Sequence, residues 1–330
     1  MTARSLLLLA WIGAATAITR GGGDGSLRKL NGVDAPRWLA LSGGGVETAT
    51  RNFICVGGSS GMGKAAALEC LRHGGKVLLI SRSMVKLEAA KEELVESVEQ
   101  DGVANCIRIA SLDVMDETAV QEFVTQEIQE YQEHQCSYDT LVISAAGKAA
   151  HSPMRILPTS STRDMLETKL WTAYNCAKYM SGLLLLDEQK VDDTHRRHDA
   201  SIVFVGGILN RRPGVNCVPL AMANGALEGL TRSLALEFAP LRIRVNCLSP
   251  GFCDTERFKH MDPSKKQAML EHTASSLPLQ RVGRPYDMGH AIYFLATNEF
   301  TTGVVLDVEG GHLIRQYASP ANSDPMRKQD

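Results

Sequence analysis

The sequence predicts an α/β fold, namely a doubly wound parallel sheet of about seven strands with helices on both faces, in a single domain. Three observations lead to this prediction. Short runs of β-branched and aliphatic residues alternate with longer segments whose apolar residues recur every three or four positions. The first of these runs passes directly into a glycine-rich turn at Gly57–Gly63. The chain has 330 residues, 44% of them hydrophobic, which is enough for one large buried core.

The candidate strands and helices alternate along the whole central region. The runs with strand composition are Asn52–Val56, Lys76–Ser81, Asn105–Ala110, Thr140–Ser144, Ser201–Val205, Ile243–Leu248 and Val304–Val308. The segments with helical spacing are Met62–His73, Val85–Gln100, Glu117–Glu133, Arg163–Leu186, Ala221–Phe238 and Pro285–Thr297. Such alternation forms a parallel sheet, because right-handed crossovers place the helices on its two faces. The charged interval Asp187–Asp199 is predicted to be a solvated loop.

The two ends of the chain lack this alternation. Arg4 precedes the apolar run Ser5–Ile18, and Ala15-Thr16-Ala17 suits a signal-peptidase site. No acid occurs before Asp24, which suits an organelle transit segment equally well, and a cytoplasmic start is the remaining alternative. The predicted organisation is a signal or transit segment at 1–20, a flexible linker at 21–50, a folded domain at 51–316 and a loose tail at 317–330.

Composition excludes several classes of function. The formal net charge is −2, with 35 basic and 37 acidic residues, so no overall field favours nucleic acid or a membrane surface. The N-terminal apolar run is short for a bilayer, so we expect no stable membrane span in the mature chain. The eight cysteines form no Cys-x-x-Cys pair and are predicted to be mostly buried, reduced thiols. No metal site is expected.

The glycine-rich turn predicts a dinucleotide-binding, Rossmann-like domain. It joins the first strand to the first helix, where unpaired N–H groups and the helix dipole can hold a pyrophosphate. Side chains at its glycines would hinder the tight turn, the approach to phosphate or the packing of helix on strand. The residues expected at the pyrophosphate are Gly57, Ser59, Ser60, Gly61, Met62 and Gly63.

The end of the second strand indicates which dinucleotide is bound. An acid at this point would bond the ribose hydroxyls of NAD and repel the extra phosphate of NADP. This chain has Ser81-Arg82 there, and a guanidinium pairs with phosphate through parallel hydrogen bonds. NADP(H) is therefore favoured over NAD(H), with a solvated surface arginine as the alternative interpretation of Arg82.

The turn also resembles a family motif, the Thr-Gly-x-x-x-Gly-x-Gly of the short-chain dehydrogenase/reductase family, with Val56 in place of the threonine. The resemblance continues in family order and spacing over roughly Arg51 to His312. Its further segments are Leu112-Asp113-Val114, Ala145-Ala146-Gly147, Arg244-Val245-Asn246, Pro250-Gly251, Asp254-Thr255 and Leu306–Gly311. The resemblance implies that a bound cofactor is also bordered by Asp113, Val114, Ala145, Ala146, Gly147, Pro250, Gly251 and Thr255.

The resemblance implies a catalytic tetrad of asparagine, serine, tyrosine and lysine, and this sequence departs from it. The serine position carries Gly207, the tyrosine position Leu220 and the lysine position Asn224. The asparagine position carries Lys169. In the family, tyrosine supplies the proton that the developing alkoxide needs. The chain is therefore expected to be a divergent member that works without the tetrad, if it turns over at all.

Two of these substitutions suggest an exchange. Lys169 stands at the asparagine position and Asn224 at the lysine position, and in the family fold the two are neighbours. We hypothesise that Lys169 holds the nicotinamide ribose and keeps a positive charge beside the substrate, supported by Asn224. The alternative is an ordinary surface lysine. Weaker candidates on loops and helices, each with a plain structural alternative, are His151, Arg211, Arg212, Cys217, Tyr174 and the covering stretch Phe252–Leu279.

The sequence predicts two main functions and leaves a third class as the remaining alternative. The first is an NADP(H)-dependent oxidoreductase that acts on a small carbonyl, imine or activated alkene by non-tetrad chemistry. The second is an NADP(H)-binding pseudoenzyme with a structural or regulatory role. Isomerase, lyase or epimerase chemistry on the same scaffold is a third class. The resemblance also implies a homodimer or homotetramer, formed through Arg163–Leu186 and Ala221–Phe238.

Overall fold

The computed structural model describes residues 29–30, 33–34, 50–134, 137–147, 151–186 and 200–314. The predicted targeting segment, the C-terminal tail and the charged interval Asp187–Asp199 lie outside the described residues. Most of the predicted linker does too, but four of its residues form a short antiparallel pair, Lys29–Leu30 with Val33–Asp34. None of the helices in the described part of the chain is long and apolar enough to cross a membrane.

The main sheet confirms the predicted fold class. It has seven strands, and every neighbouring pair is parallel. The strands are β1 Phe53–Val56, β2 Val77–Ser81, β3 Ile107–Ser111, β4 Thr140–Ile143, β5 Ala200–Val205, β6 Ile243–Pro250 and β7 Val305–Val308. Their order is β3-β2-β1-β4-β5-β6-β7. The order reverses at β1 and β4, and the crevice beyond the carboxyl ends of two such strands is where a doubly wound sheet binds its ligand.

The helices cover both faces of the sheet. They are α1 Gly61–Arg72, α2 Met84–Ser97, α3 Glu117–His134, α4 Thr159–Leu166, α5 Thr172–Met180, α6 Val218–Glu237, α7 Pro263–Ser275 and α8 Pro285–Thr297. The predicted helix Arg163–Leu186 differs from the structure, because a π-helical turn at Glu167–Trp171 joins α4 to α5 and a 3₁₀ turn follows at Ser181–Leu185. In the wider turn the Thr172 hydroxyl donates to the carbonyl oxygen five residues earlier, at 3.3 Å.

Side chains of the sheet alternate between two hydrophobic clusters, one on each face. Ile54 and Val56 of β1 belong to the cluster beneath α3, α5 and α6, whereas Phe53 and Cys55 belong to the cluster beneath α1, α2 and α8. All four are at most 1% exposed. A strand buried on both faces is expected in a parallel sheet that helices cover on both sides. The fold thus leaves the carboxyl edge of the sheet as the place where loops can form a site.

Candidate cofactor and active site

The glycine-rich turn packs so closely that side chains are excluded from it. Gly57 has a φ of +83°, and a Cβ on it would lie 2.8 Å from the amide nitrogen of Ala145. A Cβ on Gly63 would lie 2.4 Å from Ser144 Oγ and 2.6 Å from the carbonyl oxygen of Gly57. These distances are far shorter than a carbon atom tolerates. The first turn of α1 is therefore pressed against the ends of β1 and β4.

The N-terminus of α1 binds a carboxylate of the chain itself. The amide of Gly61 donates to Glu256 Oε2 at 2.7 Å, and Lys64 Nζ lies 2.9 Å from Glu256 Oε1. Ser60, the N-cap residue, makes no side-chain capping bond. An anion at this position fits the helix dipole and the free N–H groups, as predicted for the pyrophosphate. The sequence prediction missed Glu256, and its only signal was an acid directly after Thr255.

The predicted adenosine end is formed at the carboxyl ends of β2 and β3. Ser81 ends β2, and Arg82 follows it with an exposed side chain. Asp113 is also exposed, and its Oδ1 accepts a hydrogen bond from the amide of Met115 at 3.1 Å, while Val114 is buried. The structure thus places Ser81 and Arg82 beside Asp113 and Val114 at one end of the crevice, because β2 and β3 pair in parallel register.

The ends of β4 and β6 form the other part of the crevice. Ala145–Gly147 follows β4, and a Cβ on Gly147 would lie 2.6 Å from Thr168 Oγ1, so the loop contacts the π-helical turn. Pro250 ends β6 and Gly251 follows it. Thr255 lies over α1, since a Cβ on Gly61 would be 3.8 Å from the Thr255 Cβ. All the predicted cofactor residues therefore border the same edge of the sheet.

Lys169 is buried inside the protein. It lies in the π-helical turn, is 7% exposed, and its Nζ donates to the carbonyl oxygen of Gly206 at 2.9 Å. The pKa of its ammonium is lowered to about 8, mainly by burial; Cys247 acts in the opposite direction, and the positive charge of Arg257 acts in the same direction as burial. The interpretation of Lys169 as a surface lysine is wrong, because the wider turn directs this side chain into the interior.

Asn224, on α6, lies against Gly207, which directly follows the Gly206 carbonyl that Lys169 binds. It is 2% exposed, and its Nδ2 lies 3.0 Å from the position a Cβ on Gly207 would take. Its Oδ1 is buried and has no hydrogen-bond partner among the described residues. A buried acceptor without a partner costs stability unless a donor, such as a ribose hydroxyl, satisfies it. The structure thus brings Lys169 and Asn224 to adjacent residues at the end of β5.

Gly207 cannot be replaced by the family's serine without strain. Its φ is +154°, which L-residues rarely adopt, and a Cβ would press on the Asn224 amide. We expect Gly207→Ser to lower the free energy of unfolding by about 1–3 kcal/mol, measured by urea denaturation. The matched control is Gly229→Ala, where a Cβ meets nothing within 4 Å and the residue lies within α6. Equal stability of Gly207→Ser and the wild type would contradict the strain expected at position 207.

The structure brings two of the weaker candidate residues into contact. Leu220 lies in the first turn of α6 and is half-buried. Just before that helix, Cys217 Sγ lies 3.4 Å from His151 Nδ1, so two of the weaker candidates are in contact. Burial raises the pKa of the Cys217 thiol. Tyr174 is 39% exposed and its ring packs edge-on against Trp171. The structure thus brings His151 and Cys217 together just before the first turn of α6.

Arg211 forms hydrogen bonds to the carboxyl ends of the neighbouring strands β6 and β7. Its Nη1 donates to Asp307 Oδ2 at 2.7 Å, and Nη2 contacts the other oxygen of the same carboxylate. Nη2 also donates to Ser249 Oγ at 2.8 Å, and Nε lies 3.0 Å from Glu228 Oε1. Its hydrogen-bonding capacity is thus largely used within the protein. The guanidinium of Arg211 therefore holds neighbouring strand ends together.

Comparison with known proteins decides the family. A family model described as Enoyl-(Acyl carrier protein) reductase matches residues 56–312. The chain belongs to the short-chain dehydrogenase/reductase family. It is 30% identical over 264 residues to a 3-oxoacyl-[acyl-carrier-protein] reductase of Rattus norvegicus, covering 78% of this chain and 97% of that protein. It is 28% identical over 259 residues to a peroxisomal 2,4-dienoyl-CoA reductase of Danio rerio, covering 78% and 79%.

A solved structure adds a second line of comparison. An NADPH-bound short-chain oxidoreductase from Pseudomonas aeruginosa PAO1, described as containing an atypical catalytic center, superposes with a TM-score of 0.67 at 26% identity. The match covers 81% of this chain and 98% of that one. Family membership, with such relatives, makes this short-chain dehydrogenase/reductase an NAD(P)-dependent oxidoreductase in general terms.

The site fits a bound dinucleotide. The turn at Gly57–Gly63 excludes side chains where phosphate must approach, and α1 already binds a carboxylate there. Arg82 is exposed at the predicted adenosine end, and Asn224 Oδ1, which has no hydrogen-bond partner in the described part of the chain, lies at the other. Within the described residues, no group of three or more His, Cys, Asp or Glu side chains is placed to hold a metal ion.

Proposed function

We propose that this chain is an NADP(H)-dependent reductase of a small polarised substrate, and that an activated alkene is favoured over an isolated carbonyl. The observation that carries the proposal is the buried Lys169, whose ammonium is fixed at Gly206 at the end of β5. NADPH, when bound, supplies the hydride. The residues of the chain must then bind the cofactor, exclude water and stabilise the negative charge that develops on the substrate.

The choice of an activated alkene follows from the residue at the tyrosine position. Reduction of an isolated ketone leaves an alkoxide, a strong base that needs a proton from a nearby acid. Leu220, which the family spacing places there, has no proton to give. Hydride addition to a conjugated alkene leaves an enolate, whose charge is spread and which water can protonate later. A fixed cation such as Lys169 suffices to stabilise that charge.

The relatives support the same substrate class. The 2,4-dienoyl-CoA reductase acts on a conjugated alkene by its name, and the family model is described as an enoyl reductase. The 3-oxoacyl-[acyl-carrier-protein] reductase, in contrast, is named for a carbonyl substrate. All three names refer to acyl thioesters, so short acyl thioesters are the first probes to use.

An NADPH-consumption assay on the full chain tests the proposal. The panel contains a 2,4-dienoyl, a 2-enoyl and a 3-oxoacyl thioester, with a cyclic imine and a simple ketone. We expect turnover with the conjugated thioesters, and little or none with the 3-oxoacyl thioester and the ketone. NADPH binding without any turnover would favour the pseudoenzyme instead, for which the substitution of all four tetrad positions is the main support. Absence of binding would contradict both.

Arg82 is proposed to select NADP(H). We expect Arg82→Asp to weaken NADPH binding about 10- to 100-fold, because a charge-assisted pair with phosphate is lost, and to improve NADH binding. The measurement is titration of both nucleotides by protein fluorescence. Lys86→Asp is the matched control, because it makes the same charge change on the exposed face of α2, four residues away. Equal effects of the two variants would show that the overall charge of this region, and not a contact of Arg82, determines the preference for NADP(H).

A further inference from the structure

The carboxylate of Glu256 occupies the Gly61 amide, which is predicted to contact the pyrophosphate of the cofactor, and the neighbouring ammonium of Lys64. Gly61 N and Lys64 Nζ, at 2.7 and 2.9 Å from its two oxygens, are at the first turn of α1. Burial disfavours the charged carboxylate, but hydrogen bonds from Lys64 and the Gly61 amide outweigh this and hold the pKa of Glu256 below its ordinary value. The group is therefore anionic at neutral pH, and it is held by the same kind of donors that bind a phosphate.

Glu256 also belongs to the stretch Phe252–Leu279, which the family resemblance predicts to cover the site. It begins the 3₁₀ turn Glu256–Phe258, and α7 follows at Pro263–Ser275. None of the residues of α7 is buried, so this helix is weakly attached to the core. Segments with few buried contacts open at a low free-energy cost. The contacts of Glu256 therefore join the start of the covering segment, defined here as Thr255–Ser275, to α1.

We infer that Glu256 closes the pyrophosphate position of the nucleotide-free protein, and that a dinucleotide diphosphate must displace this carboxylate in order to bind. The inference rests on the proposed use of NADP(H). Two anions cannot share the Gly61 amide and Lys64, because their like charges repel at hydrogen-bonding distance. Cofactor binding therefore releases the first turn of the covering segment, and the segment is free to move when the substrate enters. The competition also weakens the apparent affinity for the cofactor, since only the open fraction of the protein binds it.

The test compares Glu256→Ala and Glu256→Gln with Glu93→Gln. Glu93 also contacts Lys64 but makes no contact with Gly61, so its variant removes the same charge without opening the site. We expect the Glu256 variants to bind NADPH on the order of tenfold more tightly than the wild type, whereas Glu93→Gln stays within about twofold. Unchanged or weaker NADPH binding by both Glu256 variants would overturn the inference.

Amide hydrogen exchange without nucleotide separates this inference from the cofactor assignment. In the full chain, peptides spanning Thr255–Ser275 should exchange about tenfold faster in the Glu256 variants, and at the wild-type rate in Glu93→Gln. Unaltered exchange in the Glu256 variants would overturn the closing role, whatever binds at the site. Faster exchange in a protein that binds no NADPH would support the closing role and contradict the proposed cofactor.

Discussion

Replacing Gly63 by alanine is expected to abolish saturable NADP(H) binding. The new Cβ would lie 2.6 Å from the carbonyl oxygen of Gly57 and 2.9 Å from its carbonyl carbon. The Ser144 hydroxyl, at 2.4 Å, can rotate away, but the backbone of the turn cannot. Helix α1 must therefore move off β1, which deforms the phosphate-binding turn. The strain should also lower the free energy of unfolding by about 1–3 kcal/mol.

The measurement is NADPH titration by fluorescence, together with a urea unfolding curve. Gly229→Ala serves as the control for the chemical change itself, because that position lies on a helix and has open space around it. It should bind NADPH normally and gain up to about 1 kcal/mol of stability. If Gly63→Ala binds NADPH as the wild type does, the close contact between α1 and β1 is not part of the cofactor site.

Removal of the buried ammonium is expected to have the largest effect on turnover. Lys169→Met should lower kcat/KM about 100- to 1000-fold, because a fixed cation next to the developing negative charge is lost. Its fold should persist, since replacing a buried charge by an apolar side chain of similar length is often neutral. Far-UV circular dichroism and the urea midpoint check the fold. Normal turnover by a folded Lys169→Met protein would contradict the proposed role.

The pH dependence tests the same group independently. Its pKa of about 8 in the folded chain is below its ordinary value of 10.5, so the folded protein loses this proton first as the pH rises. Between these two values the free protein should gain stability from this group, because the cost of a buried charge disappears. The catalytic efficiency, in contrast, should fall as the pH rises through this range. If the ammonium is needed, kcat/KM for NADPH falls about tenfold per pH unit above pH 8.

Lys169→Arg is the matched variant for this profile. An arginine keeps its charge at every accessible pH, so the decline above pH 8 should vanish even if the longer side chain lowers the overall rate. Lys169→Met should show a low rate with no such decline. A wild-type profile that stays level up to pH 10 would show that the charge of Lys169 does not take part.

The order of strands and helices was predictable because it depends on patterns that are local in the chain. The turn at Gly57–Gly63 and the apolar run of β1 specify the first crossover by themselves, and the exposed Arg82 follows from the end of β2. The ends of helices were less well predicted, since α4 begins four residues before its predicted start and α6 three residues before its own. In that first turn, Val218-Pro219-Leu220 lacks the helical spacing on which the prediction relied.

Two features of the site could not be predicted for a different reason. The burial of Lys169 depends on the π-helical turn, and no simple period in the sequence distinguishes that turn from an α-helix. The contact of Glu256 with Gly61 joins residues 195 positions apart, so it appears only when the loop after β6 returns to α1. Both are consequences of tertiary structure. The family spacing located Lys169 and Asn224 as candidates, but only the structure places them at one dipeptide.

The contacts of Arg211 divide the site into a fixed and a movable half. One guanidinium group, on the loop after β5, is bonded to Ser249 at the end of β6 and to Asp307 in β7. Three neighbouring strands are thus cross-linked at the edge where Lys169 and Asn224 meet Gly206–Gly207. These bonds fix the positions of the strand ends near Lys169 and Asn224. The segment Thr255–Ser275 lies outside this network and is attached through Glu256 instead, so a shift of that segment leaves the bonds of Arg211 intact.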